Sequence, residues 1–307
     1  MSRSSSQRPQ RKPGSRRLRE AVLKFLYACD TASTPPSELG EVYWPLAHEH
    51  DLRRLAQGRL AALQNLEASR LQRRDALIKH EANVLAAMRP HDEADEAKEN
   101  WSKLRALLDS ITKRLAGATR ESRDAADEDA AEIVSECLGG LFADYRNLPV
   151  RIAALEDAAL LCEPARRALE PLEGTFRRLN QLANIALAIE DPRLGVEDER
   201  IDSLRRRETR ITTEQTRGQQ RAEAIWEQLP EIDIKIADAT ENYRLERIDP
   251  VDRTILRQGI FEMLHDETVP PLVALDEALE LAKTFGASES SSFVNGVLDR
   301  VLKESRA

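Results

Sequence analysis

The sequence predicts an all-α protein. Charged residues make up 33% of the chain and aromatic residues only 4%, and Leu, Ala, Glu and Arg, which favour helices, are abundant. Apolar residues recur at intervals of three and four over most of the 307 residues, which is the period of an amphipathic helix. We therefore expect helices that each bury one apolar stripe against a neighbour. The length allows two domains.

A first helix is predicted after Ser15, which can act as its N-cap. Pro35 and Pro36 should end it, because proline cannot continue a helix. The segment GEVYWPLAHEH predicts a second helix, with Pro45 near its start or at a break. The apolar stripe of the first helix consists of Leu18, Val22, Phe25, Leu26 and Cys29.

From residue 51 the chain becomes charged and rich in Ala and Leu, and long helices with short polar breaks are predicted. Apolar spacing continues over 52–88, and Pro90 should end that helix. Two further stripes, in 101–115 and 134–148, alternate by three and four as in a coiled coil.

Three prolines, Pro149, Pro164 and Pro171, are expected to interrupt the helices before a last stripe in 169–189. Helices with one narrow stripe must pack against one another. We therefore interpret 51–205 as antiparallel helical hairpins, a coiled-coil-like stalk or bundle, inserted into another domain.

The net charge of −8 conceals an asymmetry. Residues 1–19 contain no carboxylate, and without their seven positive charges the rest of the chain carries −15. Residues 1–14 are predicted to be a disordered basic arm, which either only solubilises the chain or also contacts phosphates. The positive residues are Arg3, Arg8, Arg11, Lys12, Arg16, Arg17 and Arg19.

Several classes of function lack their sequence signals. The chain has no apolar run long enough for a membrane span and no secretory signal, so a cytoplasmic location is expected. Its three cysteines are widely spaced, and the pair in His48–His50 does not have metal-ligand spacing on a helix. No phosphate-binding glycine motif is present. We expect no catalytic residue, metal site or cofactor.

The C-terminal sequence carries the most specific motifs. The segments RLERIDPVDRTILRQGIFEML, VPPLVALDEALELAKTFG and SSFVNGVLDRVL resemble, in order, the C-terminal half of the NusB family of antitermination factors. RRLREAVLKFLY resembles the arginine-rich first helix of that family. The matching stretches are 15–50 and 215–303, and they predict one NusB-like domain, 15–50 plus 206–307, interrupted by 51–205.

The resemblance implies an all-α fold of two helical subdomains, a function in transcription antitermination and no enzyme activity. It implies binding to a single-stranded boxA-like element of ribosomal RNA leader transcripts together with NusE, a small-subunit ribosomal protein. It also implies a place in the antitermination complex with RNA polymerase and in rRNA biogenesis, and no membrane partner. The insertion departs from the compact form of the family.

The first helix supplies the first candidate RNA contacts. Arg16, Arg17 and Arg19 are predicted to face phosphates and to stack on bases, and Tyr27 could add a ring to that surface. The alternatives are a solvated helix face for the arginines and a core position for Tyr27.

Further candidate RNA contacts lie near the C-terminus. The resemblance places the segment before the final helix, which is predicted to begin at Phe293 after serine caps, beside the RNA surface. Phe293 is either a stacking platform for RNA or a core anchor. Asn295 either contacts RNA or caps backbone groups. Lys283 could reach a phosphate or belong to a solvated ion-pair face with Glu277 and Glu280.

Two acidic residues are candidates for binding the basic partner protein. Asp252 matches an acidic position on the NusE-facing surface of the family, and Glu289 lies where the family often has an acid. Asp252 could equally stabilise, with Asp249, the first turn of a helix begun by Pro250. Ser292 stands where a basic residue is frequent in the family.

An alternative function is a helical interaction scaffold, in which the insertion carries the binding activity and RNA binding is weak or lost. The RNA-binding part of an rRNA methyltransferase is disfavoured, because no catalytic domain follows the final helix in this sequence. Both a monomer and a homo-oligomer formed through the insertion fit the sequence.

Overall fold

The computed structural model describes residues 13–124, 130–195, 199–240 and 244–305. These residues form twelve α-helices and contain no strand, which confirms the all-α class. None of the described helices is both long and apolar enough to cross a membrane. The helices are α1 (Pro13–Ala32), α2 (Pro36–Ala47), α3 (Glu49–Met88), α4 (Asp95–Asp124), α5 (Ala130–Ala159), α6 (Glu163–Leu169), α7 (Glu173–Glu190), α8 (Glu199–Glu227), α9 (Leu229–Ala239), α10 (Pro250–Leu264), α11 (Pro271–Phe285) and α12 (Ser290–Glu304).

The chain divides into two compact units. Unit 1 contains the described residues of 1–47 and 210–307, and unit 2 contains 48–209. Helix α8 contributes residues to both units. The sequence-based boundary at 205/206 therefore falls inside a continuous helix rather than at a loop.

Unit 1 has a core built from both ends of the chain. Val22 and Phe25 of α1 are fully buried together with Ile225 of α8, Ile255 of α10 and Leu298 of α12. Helix α10 lies at the centre of the unit and contacts α1, α9, α11 and α12. The N-terminal helix therefore completes the core of the C-terminal helices.

Helix α1 carries the predicted apolar stripe on its buried side. Cys29 is fully buried with the rest of the stripe, and Leu18 packs on its margin. Burial raises the pKa of the Cys29 thiol to about 12. The helix begins at Pro13, so Ser15 lies in its first turn and not before it. Residues 1–12 of the predicted basic arm lie outside the described residues.

Helix α2 brings an aromatic cluster to the core. The ring centroids of Tyr43 and Trp44 lie 4.7 and 4.9 Å from that of Phe25. Pro36 begins the helix, so Pro45 lies near its end and not near its start or at a break as predicted. Proline fits the first helical position because its missing N–H would have no partner there.

Unit 2 is built from long antiparallel helices, as the sequence predicts. Along α3 and α4, Gln64 Nε2 donates to Thr119 Oγ1 at 2.9 Å, and Trp101 Nε1 donates to Glu81 Oε1 at 3.1 Å. Residue numbers thus rise on one helix as they fall on the other. The apolar spacing predicted over 52–88 lies in the single helix α3.

Helices α4 and α5 form the second antiparallel pair. Ser110 Oγ donates to Asp144 Oδ2 at 2.8 Å, and Asn100 Nδ2 donates to the carbonyl of Ala154 at 3.1 Å. Helix α7 packs against both α3 and α5. The narrow apolar stripes are therefore buried against one another.

The prolines of unit 2 act differently from the prediction. Pro149 lies inside α5 and does not interrupt it, because the fully buried Leu148 and Ile152 hold the helix in its packed position. Pro164 lies in the first turn of α6, and Pro171 lies in the short 3₁₀ turn that precedes α7. Both of these prolines begin helical segments.

Candidate nucleic-acid interface

Arg16 joins α1 to α11. Its Nη1 lies 3.3 Å from Glu280 Oε2, and its Nη2 donates to Thr284 Oγ1 at 3.1 Å. Its Nε donates to Glu20 Oε1, one turn later on α1, at 3.2 Å. Arg16 thus keeps a half-exposed guanidinium at the junction of two helices.

Lys24 continues the same side of α1. Its Nζ lies 5.4 Å from the centroid of the Phe285 ring on α11, within the range of a cation–π contact. Tyr27 follows one turn later and is 40% exposed. The sequence interpretation missed Lys24, although its spacing from Arg16 and Tyr27 places all three on one helix face.

Lys283 belongs to this surface through Glu280. Its Nζ donates to Glu280 Oε1 at 3.0 Å, on the carboxylate that also accepts from Arg16. Lys283 lowers the pKa of Glu280 by this bond and by its charge, and Arg16 adds to the effect. We call Arg16, Lys24, Tyr27, Glu280 and Lys283 the α1/α11 face.

Arg17 points to a different neighbour. Its Nε lies 2.8 Å from Glu214 Oε1 of α8, and its side chain is 54% exposed. The structure therefore separates Arg17 from Arg16, although the two residues are adjacent in sequence.

Arg19 is not a surface residue, which corrects its prediction as a phosphate contact. It is only 7% exposed, and its Nε donates to both carboxylate oxygens of Glu262 on α10, at 2.7 and 2.9 Å. Arg221 of α8 donates to the same carboxylate at 2.7 Å. A guanidinium held in this way ties α1 to α10 and has no path to a phosphate.

Glu277 takes part in the same buried group. Its carboxylate lies 3.7 Å from Arg19 Nη1, and the residue is only 3% exposed. It therefore does not belong to the predicted solvated face with Glu280 and Lys283. The position of Arg19, three residues before Val22 and seven before Leu26, is the sequence signal that places it on the buried side of α1.

The final helix begins earlier than predicted. Helix α12 starts at Ser290, so Ser291 and Ser292 are helical and do not cap it. Phe293 is half-buried against the core of unit 1, and Asn295 is exposed. The exposed position of Asn295 is compatible with both of its predicted roles. The packing of Phe293 against the core favours the prediction that Phe293 is a core anchor.

Asp252 is buried, which corrects its prediction as a surface contact for a partner protein. It is 8% exposed, and its Oδ2 accepts from Ser290 Oγ at 3.0 Å. Burial raises the pKa of Asp252, the bond from Ser290 opposes this, and the charge of Asp249 adds to the rise. Asp249 caps α10 by accepting from the N–H of Val251 at 2.8 Å. Glu289 is exposed just before α12.

A second charged network fixes the other end of α1 and was not predicted. Arg253 and Arg257 of α10 both donate to Asp30 of α1, and Arg257 also donates to Asp233 of α9 at 2.8 Å. Burial acts to raise the pKa of Asp30, but these two hydrogen bonds outweigh it and hold that pKa below its usual range. The partners are too distant in sequence for spacing to reveal them.

The described part of the chain contains no group of three His, Cys, Asp or Glu side chains placed to hold a metal ion. The arrangement of the α1/α11 face is instead suited to binding an anion and a flat ring, because it combines three cations with an exposed tyrosine.

Comparison with known proteins finds a similarity to one family in part of the chain. Residues 172–303 match the model of the NusB family, a span that begins just before α7 and ends in α12. The transcription antitermination protein NusB of Pseudothermotoga lettingae is 53% identical over 79 residues, which are 26% of this chain and 56% of that protein. The protein of the same name from Sorangium cellulosum is 52% identical over 77 residues, 25% of this chain and 55% of that protein.

The chain thus spans about half the length of the curated relatives it matches. Residues 15–50, which resemble the first helix of the family, lie outside the family match. Helix α1 packs against α10, and residues 15–47 of this stretch belong to the same unit as residues 210–303 of the match. Residues 172–303 of this chain are therefore similar to the NusB family.

Proposed function

We propose that the protein is a transcription antitermination factor. The observation that carries this proposal is the match of residues 172–303 to the NusB family, with relatives named transcription antitermination proteins. In this proposal 15–50 and 206–307 form the NusB-like domain and 51–205 is an insertion in it. The protein acts by binding, without catalysing a reaction.

The proposed ligand is single-stranded RNA of the boxA type. On the α1/α11 face, Arg16, Lys24 and Lys283 are cations that can contact phosphates, and Tyr27 offers a ring on which a base can stack. Base stacking on an aromatic ring is worth about 1–3 kcal/mol per base. Arg17 is directed towards α8 and would contribute at the margin of the RNA.

The N-terminal basic residues would extend this contact. Arg3, Arg8, Arg11 and Lys12 precede α1 without an intervening carboxylate. Contacts from such residues are independent of sequence and sensitive to salt. They would therefore add affinity without adding selectivity for boxA-like RNA.

The proposed protein partner is NusE, within the antitermination complex of RNA polymerase. A basic ribosomal protein requires exposed acidic groups, and Glu289 is exposed at the start of α12. The burial of Asp252 gives it a supporting role: its bond to Ser290 links the start of α10 to the start of α12.

Binding of the full-length chain to boxA-like RNA and to a scrambled RNA of equal length, with and without NusE and over a salt series, tests the proposal. The variant Lys24→Ala/Tyr27→Ala should lose at least about tenfold in affinity, and the magnitude of its salt slope should fall by about 0.7 through the loss of one phosphate contact. Lys303→Ala, which removes a cation paired with Asp299 on α12, is the matched control and should bind normally.

Failure of the wild-type chain to prefer boxA-like RNA under any of these conditions would refute RNA-directed antitermination. It would favour the scaffold function, for which unit 2 offers one observation: Leu160 and Leu161, between α5 and α6, are each 68% exposed. Loss of a captured protein partner on Leu160→Ser/Leu161→Ser, with RNA binding absent, would then support that function.

A further inference from the structure

We propose that Glu280 competes with RNA for the cations of the α1/α11 face and so sets the affinity of that face. The inference rests on the proposed function, because it concerns the same surface. The carboxylate of Glu280 pairs with two cations that RNA phosphates would otherwise contact.

The geometry supports competition because Glu280 uses both of its oxygens. Oε1 accepts from Lys283 Nζ at 3.0 Å, and Oε2 lies 3.3 Å from Arg16 Nη1. The first cation is on the same helix and the second is on α1. A phosphate offers the same elements, a negative charge shared by oxygens that accept from two donors.

The three side chains remain open to solvent. Glu280 is 33% exposed, Arg16 37% and Lys283 59%. Ion pairs at such exposure contribute little free energy, so a phosphate can displace the carboxylate without unfolding either helix. The carboxylate is therefore a reversible competitor and not a permanent part of the core, unlike Glu262 beside Arg19.

Lys24 provides the contrast within the face. Its ammonium lies over the Phe285 ring, and among the described residues no carboxylate holds it. Lys24 is thus available for the first phosphate. Lys283 and the Nη1 end of Arg16 become available only when Glu280 releases them, while Arg16 Nε can stay bonded to Glu20. RNA that presents several adjacent phosphates gains most from this release.

Replacing Glu280 by glutamine tests the inference directly. Glu280→Gln retains the size of the side chain and an acceptor oxygen but removes the charge. We expect the variant to bind boxA-like RNA about three- to tenfold more tightly than the wild type, which corresponds to the loss of two exposed ion pairs. Asp299→Asn on α12, whose carboxylate pairs with Lys303 at 2.6 Å, gives the same change in net charge and should leave affinity within about twofold.

A coupling measurement excludes a general effect of charge or of folding. In the background Arg16→Gln/Lys283→Gln, the substitution Glu280→Gln should give no gain, because the cations that it releases are absent. Circular dichroism and thermal unfolding check that each variant is folded. A gain that persists in this background overturns the inference.

The outcomes separate the inference from the proposed function. If the wild-type chain binds boxA-like RNA and Glu280→Gln binds no more tightly, the function stands and the competition does not. If Glu280→Gln binds boxA-like RNA and the wild type does not, the competition is supported, but the proposed function of the native chain is refuted. If neither chain binds, the proposed function fails and the inference fails with it.

Discussion

At the scale of single residues, three neighbouring arginines of α1 have three different environments. Arg16 meets Glu280, Arg17 meets Glu214, and Arg19 is buried against Glu262. The sequence predicted a cationic helix, and the register of the apolar stripe could have placed Arg19 inside. Its partner, 243 residues away in the chain, could not be predicted from helical spacing, because only tertiary packing brings the two together.

We expect Arg19→Ala to lower the free energy of unfolding by about 3–5 kcal/mol, because it leaves the buried carboxylate of Glu262 with an incomplete set of cations. Urea unfolding followed by circular dichroism measures the change. Lys303→Ala, in an exposed pair, should change it by less than about 0.5 kcal/mol. Unchanged stability with loss of RNA binding would instead support Arg19 as an RNA contact.

The buried carboxyl of Asp252 should make stability depend on pH. Its folded pKa is raised above the ordinary value of 3.8, so the folded state binds the proton more tightly than the unfolded state does. Its contribution to the free energy of unfolding should therefore fall as pH rises from that ordinary value through the folded pKa, and stay constant above it. Asp252→Asn should abolish this dependence while keeping an acceptor for Ser290.

The comparison is made by urea unfolding of both chains at closely spaced pH values. The stability of wild type minus that of Asp252→Asn should decrease with rising pH over this window. A difference that increases with pH would show that the folded state favours the ionised carboxylate. Glu289→Gln, at an exposed site, serves as the control.

At the scale of elements, the crossing of α2 and α8 depends on two glycines facing two large side chains. A Cβ on Gly218 would lie 2.6 Å from Trp44 Cη2, and a Cβ on Gly40 would lie 2.2 Å from Gln219 Oε1. Trp44 Nε1 donates to Gln219 Oε1 at 2.8 Å, so the two contacts are joined. Each helix thus receives a side chain of the other.

Gly218→Ala should lower the free energy of unfolding by about 1–3 kcal/mol, because the added methyl group overlaps the indole ring. Gly296→Ala is the matched control, because a Cβ added at Gly296 in α12 has no neighbouring atom within 4 Å outside its own helix backbone. This substitution should stabilise the helix by about 0.5–1 kcal/mol. Thermal unfolding followed by circular dichroism compares them. Equal effects of the two substitutions would contradict the close crossing.

Helices are predictable from sequence where their apolar period is long, as in α3, and less so where a proline suggests that a helix ends. Pro149 is tolerated in α5 because tertiary packing outweighs the lost hydrogen bond, which propensity alone does not reveal. The cap at Asp249 was predictable because capping is local. The start of α12 was not, because Ser290 bonds to Asp252 instead of capping its own helix.

At the scale of the whole molecule, the described residues in the hydrophobic core of unit 1 come from both ends of the chain, and none of them belongs to unit 2. We therefore expect unit 1 to fold when residues 48–209 are replaced by a flexible linker. Trp44 of α2 contacts Gly218 of α8, so the two helices lie close together there. The residues to be joined are Ala47, three residues after Trp44, and Arg210, eight residues before Gly218. These separations are about 5 and 12 Å along the two helices. A Gly/Ser linker of about 20 residues spans about 25 Å and suffices.

The shortened chain should show helical circular dichroism, cooperative unfolding and the RNA affinity of the full-length chain. Gly218→Ala in the shortened chain should destabilise it as in the full-length chain, which checks that the native core has formed. A shortened chain without cooperative unfolding would show that unit 1 depends on unit 2, and would contradict the interpretation of 51–205 as an insertion.

The three cysteines can act as reporters of opening in the two units. Cys29 and Cys162 are buried in unit 1 and unit 2 respectively, whereas Cys137 is half-exposed, and burial keeps the pKa of Cys29 near 12. A thiol reagent reacts with the thiolate, so Cys29 becomes reactive only when α1 leaves its site. Labelling of the native chain over time, read by mass spectrometry, should modify Cys137 first. The separate rates at Cys29 and Cys162 then give the opening free energy of each unit without any added probe.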